Sequence, residues 1–230
     1  KTKEKKVIML RLYIIFLFIL LPLKSYAETT LRMANWLPPT HPWVLDIMIP
    51  WIKNVYEASE GRVKIVLLEA PIGPPPAHFN FAVKGIADIT YGVHNYTAGR
   101  FTSTQITELP FLSNSSEILS VAWQRIYMRE LLILEEHKGA HLLGVYTHGP
   151  GQLWLNKKYN SLESIKGLKI RIGGGIAQSS AKALGLVPLQ APVTKAYELL
   201  SGGVADGMQL PAESISFFKL DRLIKQGFFF

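Results

Sequence analysis

With 230 residues, 48% of them apolar, the chain can bury a sizeable core or two small lobes, and disorder is excluded. The formal charge of +8 is lopsided: Lys1, Lys3, Lys5, Lys6, Arg11 and Lys24 face only Glu4 before residue 28, which leaves +3 for the remainder and argues against a nucleic-acid partner. There is no cysteine, so disulfides, thiol nucleophiles, thiolate metal sites and a lipid-modified cysteine drop out together.

The basic head reads as a secretory signal over residues 1–27. Lys5, Lys6 and Arg11 precede the apolar run Leu12–Leu23, and Ser25-Tyr26-Ala27 supplies small residues for cleavage after Ala27. The run is shorter than the roughly 20 residues of a comfortable membrane span, although an uncleaved anchor is the competing reading. Met9 is a plausible start.

Beyond it, Leu31–Asn35 reads as a strand and Trp36–Pro42 as a turn. A helix is expected from Trp43 to about Ser59, kinked at Pro50 and stopped at Gly61. Val63–Leu68 reads as a buried strand, His78–Lys84 as a helix and Ala87–Gly92 as a strand. Ser115 or Ser116 caps a long helix over Glu117–Glu136, and Leu142–Tyr146 looks like another strand. Then come strands near Leu153–Leu155 and Leu168–Ile172, with a short helix at Ser161–Lys166 between them. A helix from Ile176 to Leu184, a strand at Val187–Leu189, a helix at Thr194–Leu200 and a strand at Ala205–Leu210 complete the series. The alternation predicts parallel α/β sheets. Gly85-Ile86-Ala87-Asp88 returns as Gly203-Val204-Ala205-Asp206, each between a helix and a strand, which suggests two related lobes with a ligand cleft between them.

The segment Gly167-Leu168-Lys169-Ile170-Arg171-Ile172-Gly173-Gly174-Gly175 ends a strand in an Arg and turns through glycines into a helix. A guanidinium fork beside free helix N–H groups is a carboxylate trap, while an Arg on a solvated strand end is the plainer alternative. No Gly-Lys-Ser/Thr or dinucleotide fingerprint is present. His137 and His141 read as a surface turn, Glu135-Glu136 as the charged end of a helix, and no nucleophile–base set stands out. Trp36, Tyr91, His94, Tyr96 and Trp154 fall at strand ends or adjoining loops, where ligand contacts arise, although each is equally readable as packing.

Gly167-Leu-Lys-Ile-Arg171, Gly174-Gly175-Ile-Ala-Gln178, Ala183-Leu-Gly185, Ala196-Tyr197-Glu198 and Gly203-Val-Ala-Asp-Gly207 resemble the binding proteins of tripartite ATP-independent periplasmic (TRAP) transporters, the C4-dicarboxylate-type family. Gly61-Arg-Val-Lys-Ile65, Gly85-Ile-Ala-Asp88, Gly99-Arg-Phe101 and Glu108-Leu-Pro-Phe111 extend the resemblance from about Leu31 to Leu220. It implies a periplasmic binding protein-like (type II) α/β fold, with an N-terminal lobe over 28–147 and a C-terminal lobe over 148–230. It implies that Arg171 holds a ligand carboxylate. Asn35, Trp36, Tyr91 and His94 then contribute from the first lobe, and Gln152 and Gln209 from the second. Glu213 is a candidate for a metal-bridged ligand; no cofactor is implied. Leu210 and Gly149-Pro150-Gly151-Gln152 depart from the dicarboxylate pattern and point to monocarboxylate or aromatic ligands. Since such proteins run to about 300 residues, the second lobe is expected to be incomplete. The function implied is uptake: a periplasmic, non-lipoprotein receptor delivers a small organic acid to a TRAP membrane permease. The alternatives are a sensor for a membrane receptor, a truncated non-functional remnant, and an exported enzyme on the same scaffold.

Overall fold

The computed structural model describes Met9 and residues 27–229; the expected signal segment otherwise lies outside the described residues. The chain first runs β1 (Thr29–Ala34), α1 (Ile49–Ala58), β2 (Val63–Leu67), α2 (His78–Val83) and β3 (Ile89–Thr90). A long helical passage follows: α3 (Ser116–Ile126), a widened π turn (Tyr127–Leu131) and a 3-10 turn (Leu132–Leu134). After β4 (Gly151–Leu155) the pattern repeats as β5 (Lys169–Ile172), α4 (Ile176–Ala183), β6 (Val187–Gln190), α5 (Ala196–Ser201) and β7 (Gly207–Pro211). The described chain closes with α6 (Ser214–Phe217) and β8 (Gln226–Phe228).

Both βαβαβ units have the same wiring. The first sheet has the order β2-β1-β3 and is parallel; the second has the order β6-β5-β7-β4-β8. In each unit the first strand is central, so the crossovers leave on opposite sides and open a crevice at its C-terminal end. The second sheet is mixed rather than wholly parallel as expected, because β4 adds antiparallel to β7 and β8 adds antiparallel to β4.

The repeated Gly-x-Ala-Asp corner is one structure made twice. Gly85 and Gly203 both take positive φ, +66° and +68°, where a side chain is disfavoured. The next N–H groups bond back into the preceding helix, from Ile86 to the Phe81 carbonyl and from Val204 to the Leu199 carbonyl, each at 2.9 Å. Ala87 and Ala205 are fully buried. The Asp then clips the central strand: the N–H groups of Arg32 and Lys169 donate to Oδ2 of Asp88 and Asp206 at 2.7 and 2.9 Å. The Asp88 and Asp206 N–H groups donate to the same two residues' carbonyls at 3.0 and 2.7 Å. Asp206→Ala is expected to cost about 0.5–1.5 kcal/mol in urea unfolding, because an exposed strand N–H exchanges the carboxylate for water, and Asp88→Ala the same.

Several local expectations change. Leu142–Tyr146 forms no strand among the described residues. Side chains of α3 take N–H groups in it and just beyond it instead: Gln124 Oε1 accepts from Val145 at 2.7 Å and Ser120 Oγ from Thr147 at 3.0 Å. The kink expected at Pro50 takes the form of a π turn over Trp43–Met48 that passes into α1, with Pro50 in its first turn, where a missing N–H costs nothing. Ser115 is the cap of α3, its hydroxyl accepting from Ile118 N–H at 3.2 Å. β8 was not foreseen; Gly227 lets it lie against the Trp154 ring.

One apolar cluster joins the two units, with Met33, Trp36, Val44 and Ile65 of the first packed with Val193, Leu200, Met208 and Leu210 of the second. A second cluster, containing Ile170, Ile172, Leu153 and Leu155, covers the other face of the second sheet. Because side chains alternate along a strand, Arg171 between Ile170 and Ile172 is turned away from that cluster, toward the first unit.

Candidate functional site

A cleft of about 1680 Å³ lies where the units meet, lined by Trp36, Tyr91 and Tyr96 of the first and by Arg171, Gly174 and Gln209 of the second. Arg171 is its defining group. It is 2% exposed. Its Nε and Nη2 donate to the Ala191 carbonyl at 2.8 and 2.6 Å, Nη1 to the Gln209 carbonyl at 3.3 Å, and Nη2 to the Tyr96 hydroxyl at 3.2 Å. All these acceptors are neutral, and among the described residues no carboxylate lies within ion-pair distance. Burial pulls the guanidinium pKa down, opposed by Tyr96. One of its five N–H bonds is left for another acceptor. The Tyr96 hydroxyl also accepts from Val193 N–H at 3.0 Å, so its own proton is available.

The helix N-terminus beyond Arg171 is occupied by the chain itself, contrary to expectation. Glu108 Oε2 accepts from Ile176 N–H at 3.0 Å, and its other oxygen accepts from Asn95 Nδ2. Burial raises the Glu108 pKa, while these bonds oppose the rise. Gly175, at φ +61°, has no room for a Cβ against Asn95 and Glu108. The glycine turn therefore serves close packing between the units rather than an open anion nest.

Facing Arg171 is a wall of aromatic rings. Trp36 stacks on Tyr91 at 5.4 Å and tilts toward Tyr96 at 6.2 Å. Trp43 stacks against both Tyr91 at 5.9 Å and Tyr146 at 4.7 Å. The Trp36 indole N–H is satisfied by the Tyr91 carbonyl at 3.1 Å. Burial, reinforced by the hydroxyls of Tyr146 and Tyr96, pushes the Tyr91 phenol well above its usual range.

The other expected site residues divide. Gln209 lines the cleft. Asn35 is buried in a turn of its own, its side chain bonded to the N–H and carbonyl of Leu37 at 2.9 and 3.1 Å. Gln152 is buried on β4 opposite Leu210 and is not among the cleft-lining residues. Glu213 accepts from Gly149 N–H at 3.0 Å, and no group of three metal-ligating side chains occurs among the described residues.

His94 reaches the cleft edge but spends both ring nitrogens inside the first unit. Nδ1 meets Thr104 Oγ1 at 2.6 Å and Nε2 meets His137 Nε2 at 3.1 Å. His137 lies in a turn, as expected, and His141 is exposed, but the His137 ring is held by the Tyr127 hydroxyl at 2.9 Å. Glu136, expected on a solvated helix end, is buried and accepts from Ser103 and Thr102. Contacts 33 to 43 residues apart hold both side chains and overturn the reading of Glu136. Burial, then the charge of His137, lowers His94 from 6.5 to about 4; burial also lowers His137. The unfolded chain therefore binds more protons below about pH 6.5, and stability held by the neutral pair drains away as pH falls toward 4. Urea midpoints are expected to fall between about pH 7 and about pH 5, with a shallower fall in His94→Asn.

Sequence reasoning placed Tyr96 among the strand-end aromatics without assigning it to the site, and missed Trp43, Tyr146 and Glu108. Only the clustering of aromatics at strand ends hinted at Tyr96.

Residues 33–227 match the family model of bacterial extracellular solute-binding proteins, family 7. The chain is similar to a TRAP periplasmic solute-binding protein of Bordetella bronchiseptica, solved with bound (R)- and (S)-mandelate. Identity is 42% and the TM-score 0.83, over 87% of this chain and 64% of that one. It is similar to a marine-metagenome TRAP protein specific for aromatic acids, in complex with 3-hydroxybenzoate, at 30% identity and TM-score 0.80, over 87% and 63% of the two chains. Among curated proteins it is 27% identical to the outer membrane transporter protein TsaT of Comamonas testosteroni, over 81% of this chain and 56% of that protein. The chain thus spans between about half and two thirds of the length of these relatives.

Paired α/β units meeting at a cationic cleft, with these neighbours, define a type II periplasmic binding protein fold. The chain belongs to family 7 of the bacterial extracellular solute-binding proteins. That family and the two solved relatives are solute-binding proteins rather than enzymes. Among the described residues no helix is long and apolar enough to cross a membrane.

Proposed function

We propose that this protein captures a small organic acid, specifically an aromatic monocarboxylate, in the periplasm and delivers it to a TRAP membrane permease. In this reading residues 1–27 direct export, and lobes 28–147 and 148–230 close on the ligand. The observation that carries the reading is Arg171: a buried cation beside a cleft, facing only neutral partners. A buried charge is normally paired, because its desolvation is costly, so the missing anion is assigned to the ligand. The aromatic wall supplies flat apolar surface opposite that cation, and relatives solved with mandelate, 3-hydroxybenzoate and benzoate support the class.

A thermal-shift screen of the full chain against benzoate, mandelate, 3-hydroxybenzoate and succinate tests it. An aromatic acid at about 100 times its Kd is expected to add about 2.7 kcal/mol of stability. A cooperatively melting protein that none of the three aromatic acids stabilises would refute the proposal.

A further inference from the structure

The wall holds polar tips that the protein does not use. Tyr96 and Tyr127 both have hydrogen-bonded hydroxyls, and the indole N–H groups of Trp36 and Trp154 both reach backbone carbonyls. Tyr91 and Tyr146 differ: among the described residues neither hydroxyl has a hydrogen-bond partner, although both side chains line the cleft. Their rings are nearly parallel, 8° apart with centroids 6.3 Å from each other. The Trp43 ring stacks on both. Rings held this way fix the direction in which each hydroxyl points, so a ligand group meets them at little entropic cost. The wall also runs continuously from the cation outward, from Tyr96 beside Arg171 through Trp36, Tyr91 and Trp43 to Tyr146. Arg171 thus marks one end for a carboxylate, and the two phenols mark a polar position farther along the same face.

We propose that Tyr91 and Tyr146 form a second polar subsite that selects aromatic acids carrying a hydroxyl group over their unsubstituted analogues. The inference rests on the carboxylate reading of Arg171. Each phenol is both donor and acceptor, so a ligand hydroxyl completes a pair with either; an unsubstituted ring leaves the phenols desolvated and unpaired. A plain apolar wall would gain nothing from the hydroxyl and would lose the cost of burying it.

Calorimetry with two ligand pairs, benzoate against 3-hydroxybenzoate and phenylacetate against 3-hydroxyphenylacetate, tests the subsite in the full chain, in Tyr91→Phe, in Tyr146→Phe and in the double variant. Phenylalanine keeps the ring and its stacking, so the readout is the ratio of affinities within a pair. The original chain is expected to favour the hydroxylated member of at least one pair by about 10-fold, and the double variant to bring that ratio within about 2-fold. Equal affinities in the original chain, or a preference that survives the double variant, would overturn the subsite and leave the carboxylate reading standing. Binding of no acid by a cooperatively melting chain would overturn both. Should the double variant fail to melt cooperatively, the single variants decide: a ratio lowered in neither overturns the subsite.

Discussion

Arg171→Ala is expected to weaken binding of the best aromatic acid at least ~30-fold, about 2 kcal/mol or more, measured by calorimetry. The size follows from the guanidinium's surroundings. At 2% exposure it has little water to screen a ligand carboxylate, and its partners are two carbonyls and a phenol rather than an acid. Removing it strands the ligand's charge in the same dry place. Arg171→Lys keeps the charge but loses the fork, so it is expected to fall between the original and the alanine variant. The ligand-free protein should respond the other way. An unpaired buried cation costs stability, so Arg171→Met, of similar length and apolar, is expected to melt no lower than the original while losing the acid-induced shift. Unchanged affinity in Arg171→Ala would remove this residue from the site.

The largest effect on folding is expected at Glu136. Its carboxylate accepts from Ser103 N–H at 2.9 Å, from the Thr102 hydroxyl at 3.0 Å and from the Ser103 hydroxyl, at 8% exposure. Burial raises its pKa, and the bonds from Ser103 and Thr102 more than offset that, so the net shift is downward. Glu136→Ala leaves buried donors unmatched and is expected to cost about 3 kcal/mol, a Tm lower by about 6–12 °C for a chain of this size. Glu136→Gln keeps one oxygen and should lose less. Because the folded pKa is depressed, the contribution is complete above the ordinary carboxylate range and is lost as pH falls through the lowered value. The alanine variant should therefore show a flatter stability profile in that acidic window than the original. The helical turn over Ser103–Glu108 links this anchor to the ligand site, since Glu108 caps the helix that follows Arg171.

The alternation of strands and helices and the doubled Gly-x-Ala-Asp corner were legible because each depends on neighbours in sequence. A glycine at positive φ, a small buried alanine and an aspartate clipping the adjacent strand make bonds whose partners are fixed once the helix before them forms. Arg171 was singled out by the glycine turn after its strand and by the family resemblance, while the residues alone left a solvated strand end open; the strand period turns it away from Ile170 and Ile172 but does not say what covers it. By contrast, the strand read at Leu142–Tyr146 failed because pattern records apolar content and not the partner, and here side chains of α3 took the backbone bonds.

The chain's own residues, then, determined the α/β class, the repeated unit and the place of an Arg at a strand end before a glycine turn. Tertiary structure alone decided what surrounds that cation. Tyr96 meets Arg171 across 75 residues, and Glu108 reaches the Ile176 N–H across 68. Contacts of that span are chosen by how two packed units fit together, and local propensity carries no record of the fit.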